Sequence, residues 1–288
     1  MISTAIETLR EHRAFGGTMG FYAHSSTSTA TTMRFGVFVP GGAASSRPPA
    51  VYFLAGLACT EETFFIKAGA LAYATEFGLA LVACDTSPRG LDLPGETESW
   101  DVGAGAGFYL DATVEPWSAH YRMGSYVNDE LPALVEQHFP VAGARRGITG
   151  HSMAGNGALV IALRNPDRWH SVSAIAPICN PSEVPWGQKA FSNYLGPRSA
   201  AWKDWDASEL MRRRPHPTTI LVDQGTTDQF LDTQLRPEAL EAAAAASGQA
   251  LRLNRHDNYD HSYWFIQTVI HGHLSHHARA LHGPGRRN

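Results

Sequence analysis

Cysteine is scarce in this chain: three in 288 residues, Cys59, Cys84 and Cys179. Spread so widely, they supply neither a disulfide framework nor a zinc knot, and an odd number of thiols suits a reducing compartment. A dominant charge is also missing. The chain has 23 basic and 27 acidic residues, net −4, which leaves no basic excess to hold a nucleic-acid backbone. No stretch approaches the roughly 20 apolar residues that span a bilayer. The opening MISTAIETLREHRAF has no basic head leading into an apolar run, so no secretory signal is expected there. These absences predict a cytoplasmic protein with neither nucleic acid nor membrane as partner. Internal repeats, low-complexity tails and a dividing linker are lacking as well, so residues 1–288 are read as one domain, a length suited to a large α/β unit.

Apolar runs of strand length do recur: 33–40, 50–56, 79–85, 147–150, 172–179, 219–225 and 251–256. Helical patterns separate several of them. Residues 126–139 place Leu131, Leu134, Val135 and His138 at helical spacing, with Pro132 in the first turn or at a kink. Residues 236–248 are rich in alanine and stop at Gly248, a C-terminal cap. Strand and helix in alternation predict a mostly parallel central sheet with helices on both faces. The first two strands are joined by GGAASSRPP alone. That is too short for a parallel crossover, so they are expected to pair antiparallel. The long stretch from Asp85 to about Met123, full of Gly, Pro and aromatics, reads as a functional loop.

One short segment carries chemistry. GITGHSMAGNG (147–157) sets Ser152 between an apolar run and a run of small residues. Strand, tight turn and helix are the setting of a nucleophile elbow, Gly-x-Ser-x-Gly. Gly150 is in place, but Ala154 stands where the second glycine is expected. The plainer alternative is a serine that only caps a helix. A serine nucleophile needs a base, and the base needs a carboxylate to hold its tautomer. On this type of sheet they follow in the order Ser, acid, His, on loops after later strands. Asp228, in GTTDQF, and His261, in NYDHSYW, occupy such positions. Asp223, Asp232, Asp260 and His256 compete, but Asp223 and His256 fall inside strands. The oxyanion requires two N–H donors. Met153 follows the serine, and Leu57 lies in LAGLACTEETF beside Gly56.

GLACTEETF, DTSPRG, GETESWDVGAGAGFYLDAT, YRMGSYV, GHSMAGNGALVIALRNP, APICNPSEVPWGQKAFSNYLG, DQGTTDQFL and YDHSYWFI occur in the order and density that resemble the S-formylglutathione hydrolases, also called esterase D. The resemblance runs from about Phe15 to His277. It implies an α/β-hydrolase fold and a Ser152–Asp228–His261 triad with Leu57 and Met153 as oxyanion donors. It also implies a thioester substrate, S-formylglutathione, in formaldehyde detoxification, side activity on short-acyl esters, no cofactor or metal, and a cytosolic homodimer. Three positions depart from the family's habit: Ala154 for glycine, Asn156 for histidine and Ala55 for serine. Trp100 and Trp186 lie in matching loops and are expected to narrow the acyl pocket. Cys59 is expected to be a thiol near the site, not its nucleophile. Lys67, Arg122 and Lys189 lie in or near matching segments and could receive a glutathione carboxylate, but solvated surface charge is the commoner fate and none is assigned that role. The HGHLSHH segment (271–277) invites a metal reading because His273 and His277 share a helix face. Without carboxylate support it is not expected to be a functional site. The rival functions are a broad carboxylesterase, an acyltransferase and a binding protein that has lost its chemistry.

Overall fold

The computed structural model of the chain describes residues 5–283. Its N-terminal part is an antiparallel meander of β1 (Glu7–Ala14), β2 (Gly17–Ser26) and β3 (Thr31–Val39). Phe15 (φ 47°) and Gly16 (φ 76°) both take positive φ at the β1–β2 turn, as a two-residue hairpin loop with native twist requires. β1 is exposed at almost every position. It therefore carries no apolar alternation, and neither β1 nor β2 is among the expected strands.

Among the described residues nine strands form one sheet, in the order β1-β2-β3-β5-β4-β6-β7-β8-β9. The remaining strands are β4 (Ala50–Leu54), β5 (Ala80–Cys84), β6 (Arg146–Gly150), β7 (Ser171–Ile175), β8 (Ile220–Gly225) and β9 (Leu251–His256). From β5 to β9 all pairings are parallel. The expected pairing of the strands at 33–40 and 50–56 is corrected here. β3 pairs antiparallel with β5, and β4 lies on the far side of β5. The segment between β3 and β4, which carries the short helix α1 (Ala43–Ser46), excludes a parallel crossover but is long enough to step over one strand. Neighbouring strands are only about 4.8 Å apart. β5, buried at all of its positions, gains a partner on each edge.

Helices surround this sheet. α2 (Thr63–Lys67) and α3 (Ala70–Phe77) follow β4. After the long loop come α4 (Met123–Ser125), a π-helical turn at Tyr126–Glu130 and α5 (Leu131–His138). Pro132 lies in the first turn of α5, where its missing N–H leaves no bond unmade. α6 (Met153–Arg164) packs on β6 and β7, and α7 (Pro185–Leu195) and α8 (Ala207–Arg213) follow β7. α9 (Pro237–Ser247) ends at Gly248, whose φ of 74° makes it the C-cap. α10 (Tyr263–His282) packs on β7, β8 and α3. Among the described residues no helix is long and apolar enough to cross a membrane.

The histidines of α10 have individual partners. His273 Nε2 lies 2.9 Å from Asp223 Oδ2, and its Nδ1 lies 2.8 Å from Ser173 Oγ. His277 Nε2 reaches the same Ser173 oxygen at 2.9 Å, and His276 Nε2 meets the Val172 carbonyl at 3.1 Å. His271 packs its ring against Tyr73 and Phe77. Burial holds the His277 pKa well below the usual histidine range, with His276 and His273 adding to the effect. Asp223 also accepts from His256 and Asn254. Its burial raises the carboxyl pKa, but the hydrogen bond and charge of His273, with His256 and Asn254, outweigh that and hold it far below the ordinary range. The segment thus serves as a polar seam between α10 and the sheet.

Candidate active site

β6 delivers the chain into the elbow. Gly150 is required there, because a Cβ would sit 2.1 Å from the Ala154 carbonyl oxygen. Ser152 then adopts φ 60°, ψ −122°, a region that non-glycine residues enter only when their surroundings enforce it. Its backbone is clamped by Ser152 N–H to the Ile175 carbonyl and Ile178 N–H to the Ser152 carbonyl, each 3.1 Å. The side chain makes no capping bond to α6, so the helix-cap reading of this serine is not what the structure contains. Gly155 and Gly157 stand against Pro177 and Tyr109, where an added Cβ would lie 2.7 Å from each. Ala154 is wholly buried at this crowded turn, so the methyl group that departs from the glycine pattern is accommodated. Asn156 donates to the Trp205 carbonyl and accepts from Ala207 N–H, each 3.0 Å, tying α6 to the start of α8.

Asp228 and His261 are brought together by loops stitched to each other. Thr227 bonds the Tyr259 carbonyl through both N–H and hydroxyl, and Asn258 N–H donates to Thr226 Oγ1. His261 Nδ1 donates to Asp228 Oδ2 at 2.5 Å. A carboxylate can only accept, so the neutral imidazole keeps Nε2 free as an acceptor. The Asp228 side chain is fully buried and also receives Phe230 N–H and the Gln224 amide. The rival acid Asp223 faces His256 and His273 instead, and Asp260 binds Ser262 at the surface.

The ring of His261 lies 4.4 Å, centroid to centroid, from that of His151, the residue before Ser152. His151 is buried, and burial, then the proximity of His261, drives its pKa well below the usual range. It is a neutral aromatic plate under His261. The Leu57 loop closes over the same place. A Cβ on Gly56 would lie 3.2 Å from His151 Nδ1 and 3.3 Å from Ser152 Cβ, so a side chain there would press on the serine turn and glycine fits with the least displacement. Tyr109 hydroxyl holds the Ala55 carbonyl at 2.9 Å, and Ala58 N–H bonds the Gly105 carbonyl at 2.9 Å. Neither Leu57 nor Met153 N–H donates to a backbone carbonyl among the described residues. Two unspent donors beside a serine, with a carboxylate-oriented imidazole, can bind a developing oxyanion while a proton leaves the hydroxyl.

Aromatic rings lead outward from His261. Phe230 stands edge-on to it at 5.2 Å, Trp186 lies 4.6 Å from Phe230, and Trp100 lies 5.4 Å from Trp186. Trp100 is 57% exposed, so it marks the outer end of this wall. Cys59 is half-buried, its sulfur 3.9 Å from the Tyr263 hydroxyl, and burial pushes its thiol pKa up. Lys189 is taken by Asp101 and Ser99. Arg122 lies on the segment bridged to Asp111. Sequence reasoning passed over His151, Phe230 and Tyr263. Each stands within two positions of a residue it did select, and that proximity is the signal that was available.

The comparisons agree on the lineage of this chain. The family model described as "Putative esterase" matches residues 26–278. The S-formylglutathione hydrolase of Paracoccus denitrificans is 48% identical over 280 residues, 97% of this chain and all of that protein. The enzyme of that name from Mus musculus is 48% identical over 279 residues, 96% of this chain and 99% of its own. Among solved structures, an S-formylglutathione hydrolase from Agrobacterium tumefaciens superimposes with a TM-score of 0.93 at 46% identity, covering 96% of this chain and 99% of that one.

Proposed function

The chain belongs to the S-formylglutathione hydrolase family, and on that premise we propose that it hydrolyses S-formylglutathione to glutathione and formate through Ser152, His261 and Asp228. The observation that supports this most is the 2.5 Å contact between His261 Nδ1 and Asp228 Oδ2, on a ring whose centroid lies 4.4 Å from that of His151, the residue before Ser152. Ser152 Oγ attacks the thioester carbonyl as His261 Nε2 takes its proton. The negative oxygen is received by the Leu57 and Met153 amides, each such donor being worth about 10²–10³ in rate. The carbon–sulfur bond then breaks. A free thiol ionises near pH ~8.5, so the leaving sulfur needs less protonation than an amine would. Once His261 has passed its proton to the departing sulfur, it deprotonates a water that attacks the formyl ester of Ser152; the acyl–oxygen bond breaks, the proton returns to Ser152 Oγ and formate leaves. Trp186, Phe230 and Trp100 wall the acyl side, which suits a small acyl group. We take the protein to be one domain acting as a cytoplasmic homodimer.

The test is steady-state turnover of S-formylglutathione beside p-nitrophenyl acetate. The thioester is expected to have the higher kcat/KM. Brisk ester hydrolysis with no turnover of the thioester would instead make the protein a general carboxylesterase. Cys59 separates a bystander from a nucleophile. Burial raises its pKa and so disfavours the thiolate a nucleophile needs, so Cys59→Ser is expected to keep kcat within about threefold. Loss of turnover in that variant would make the thiol part of the chemistry.

A further inference from the structure

A tripeptide thioester brings two carboxylates to a site whose acyl side is aromatic, and the cations around that site are mostly spent. Lys189 is paired with Asp101. Arg89 grips Asp85 through Nε and Nη2 and donates to the Cys59 carbonyl. Lys67 differs. It ends α2, it is exposed, and no ion pair to a carboxylate is found for it among the described residues. Glu62, on the preceding turn, is occupied by Arg10. The Lys67 ammonium lies 5.8 Å from the centroid of Tyr263. Its backbone carbonyl accepts the Gln267 amide at 2.7 Å, which locks α2 to the first turns of α10. Tyr263 in turn touches the Cys59 sulfur through its hydroxyl and lies 6.2 Å from the His151 ring. The unpaired ammonium is thus one aromatic ring from Cys59, in the oxyanion loop. The carboxylate of a residue next to the acylated cysteine lies roughly 7 Å from its sulfur, about two residue spans.

We propose that Lys67 is a specificity residue for the leaving group: its ammonium, held over Tyr263, receives a carboxylate of the peptide thiol. This deepens the hydrolase reading and rests on it. An exposed contact of this kind acts on binding, not on the chemical step, so its signature is in KM. Lys67→Ala is expected to raise KM for S-formylglutathione about fivefold, the size of a good solvent-facing ion pair, and Lys67→Glu about tenfold or more because repulsion is added. kcat should stay within about twofold in both, and Lys67→Arg should restore KM. p-Nitrophenyl acetate carries no carboxylate, so both of its constants should be unchanged in every variant. Raising ionic strength should increase the thioester KM of the wild type and leave that of Lys67→Ala flat, because salt screens exposed charges. An unchanged thioester KM in Lys67→Glu would overturn the assignment. So would a parallel loss with p-nitrophenyl acetate, which would mean that the substitution had only disturbed the oxyanion loop. The two readings fail differently. Wild-type protein inert on the thioester removes the S-formylglutathione reading itself, whereas a normal wild type with indifferent Lys67 variants removes only the lysine's part.

Discussion

Ser152→Ala is expected to lower kcat for both thioester and ester by about 10⁶, the effect of removing the nucleophile from a serine hydrolase, while leaving the melting temperature within a degree or two. The two halves of this expectation come from the same geometry. The Ser152 side chain makes no bond that holds α6, and the strained backbone is fixed by main-chain contacts with Ile175 and Ile178 that alanine keeps. Stability therefore has no reason to fall. Turnover loses its covalent route, and what is left comes from the oxyanion donors and from binding. Stopped-flow mixing of the wild type with p-nitrophenyl acetate should show a burst equal to the enzyme concentration, and the variant none. Activity within tenfold of wild type would exclude Ser152 as the nucleophile, and with it the proposed mechanism.

Asp228→Asn is expected to cost about 10⁴ in kcat, as when the acid of a serine-protease triad is made an amide. The fully buried carboxylate accepts from His261 Nδ1 and so leaves Nε2 with a lone pair, the one that the proposed mechanism uses as the base for Ser152. An amide can donate in that place, which favours the opposite tautomer and turns an N–H toward the hydroxyl. Asp223→Asn is the control, because that carboxylate sits on β8, the strand that leads into the Asp228 loop, and is also bonded to histidines. Its partners His256 and His273 lie outside the site. Its loss should cost about 2 kcal/mol of stability, as for a buried hydrogen-bond partner removed, with kcat changed by no more than about threefold. Urea unfolding and initial rates on the same two samples separate these effects. If Asp223→Asn lost more activity than Asp228→Asn, the identity of the acid would be reversed.

The site was more legible in the sequence than the sheet was. Gly150, Ser152, Asp228 and His261 are set by steric and proton-transfer demands that leave local traces: a glycine where a Cβ would strike a carbonyl, an acid and a base just past strand ends. Strands β4 to β8 betray themselves by apolar runs because they are buried almost throughout, whereas β9, at the edge, has no buried residue and alternates apolar with polar. β1 does not, since a charged ribbon on the margin of a sheet has no face to hide, and β2 was lost with it. The place of β5 was hidden for another reason. Connection length limits how far a chain can travel, not which slot it enters, and that choice is made by burial gained from partners distant in sequence. His151 was overlooked because its part is to pack beneath another ring, and packing leaves no motif.

The placement of β5 between β3 and β4 also orders events in time. A ribosome delivers residues 31–39 and 50–54 before 80–84, so the emerging meander and the first parallel strand have no seam in common until the later segment arrives to join them. Until then β3 keeps one bare edge, the kind of surface that recruits strands from other chains. Cys84 and its neighbours are therefore the keystone that joins the amino-terminal ribbon to the half of the molecule bearing Ser152. Translation that pauses before residue 80 leaves that keystone out.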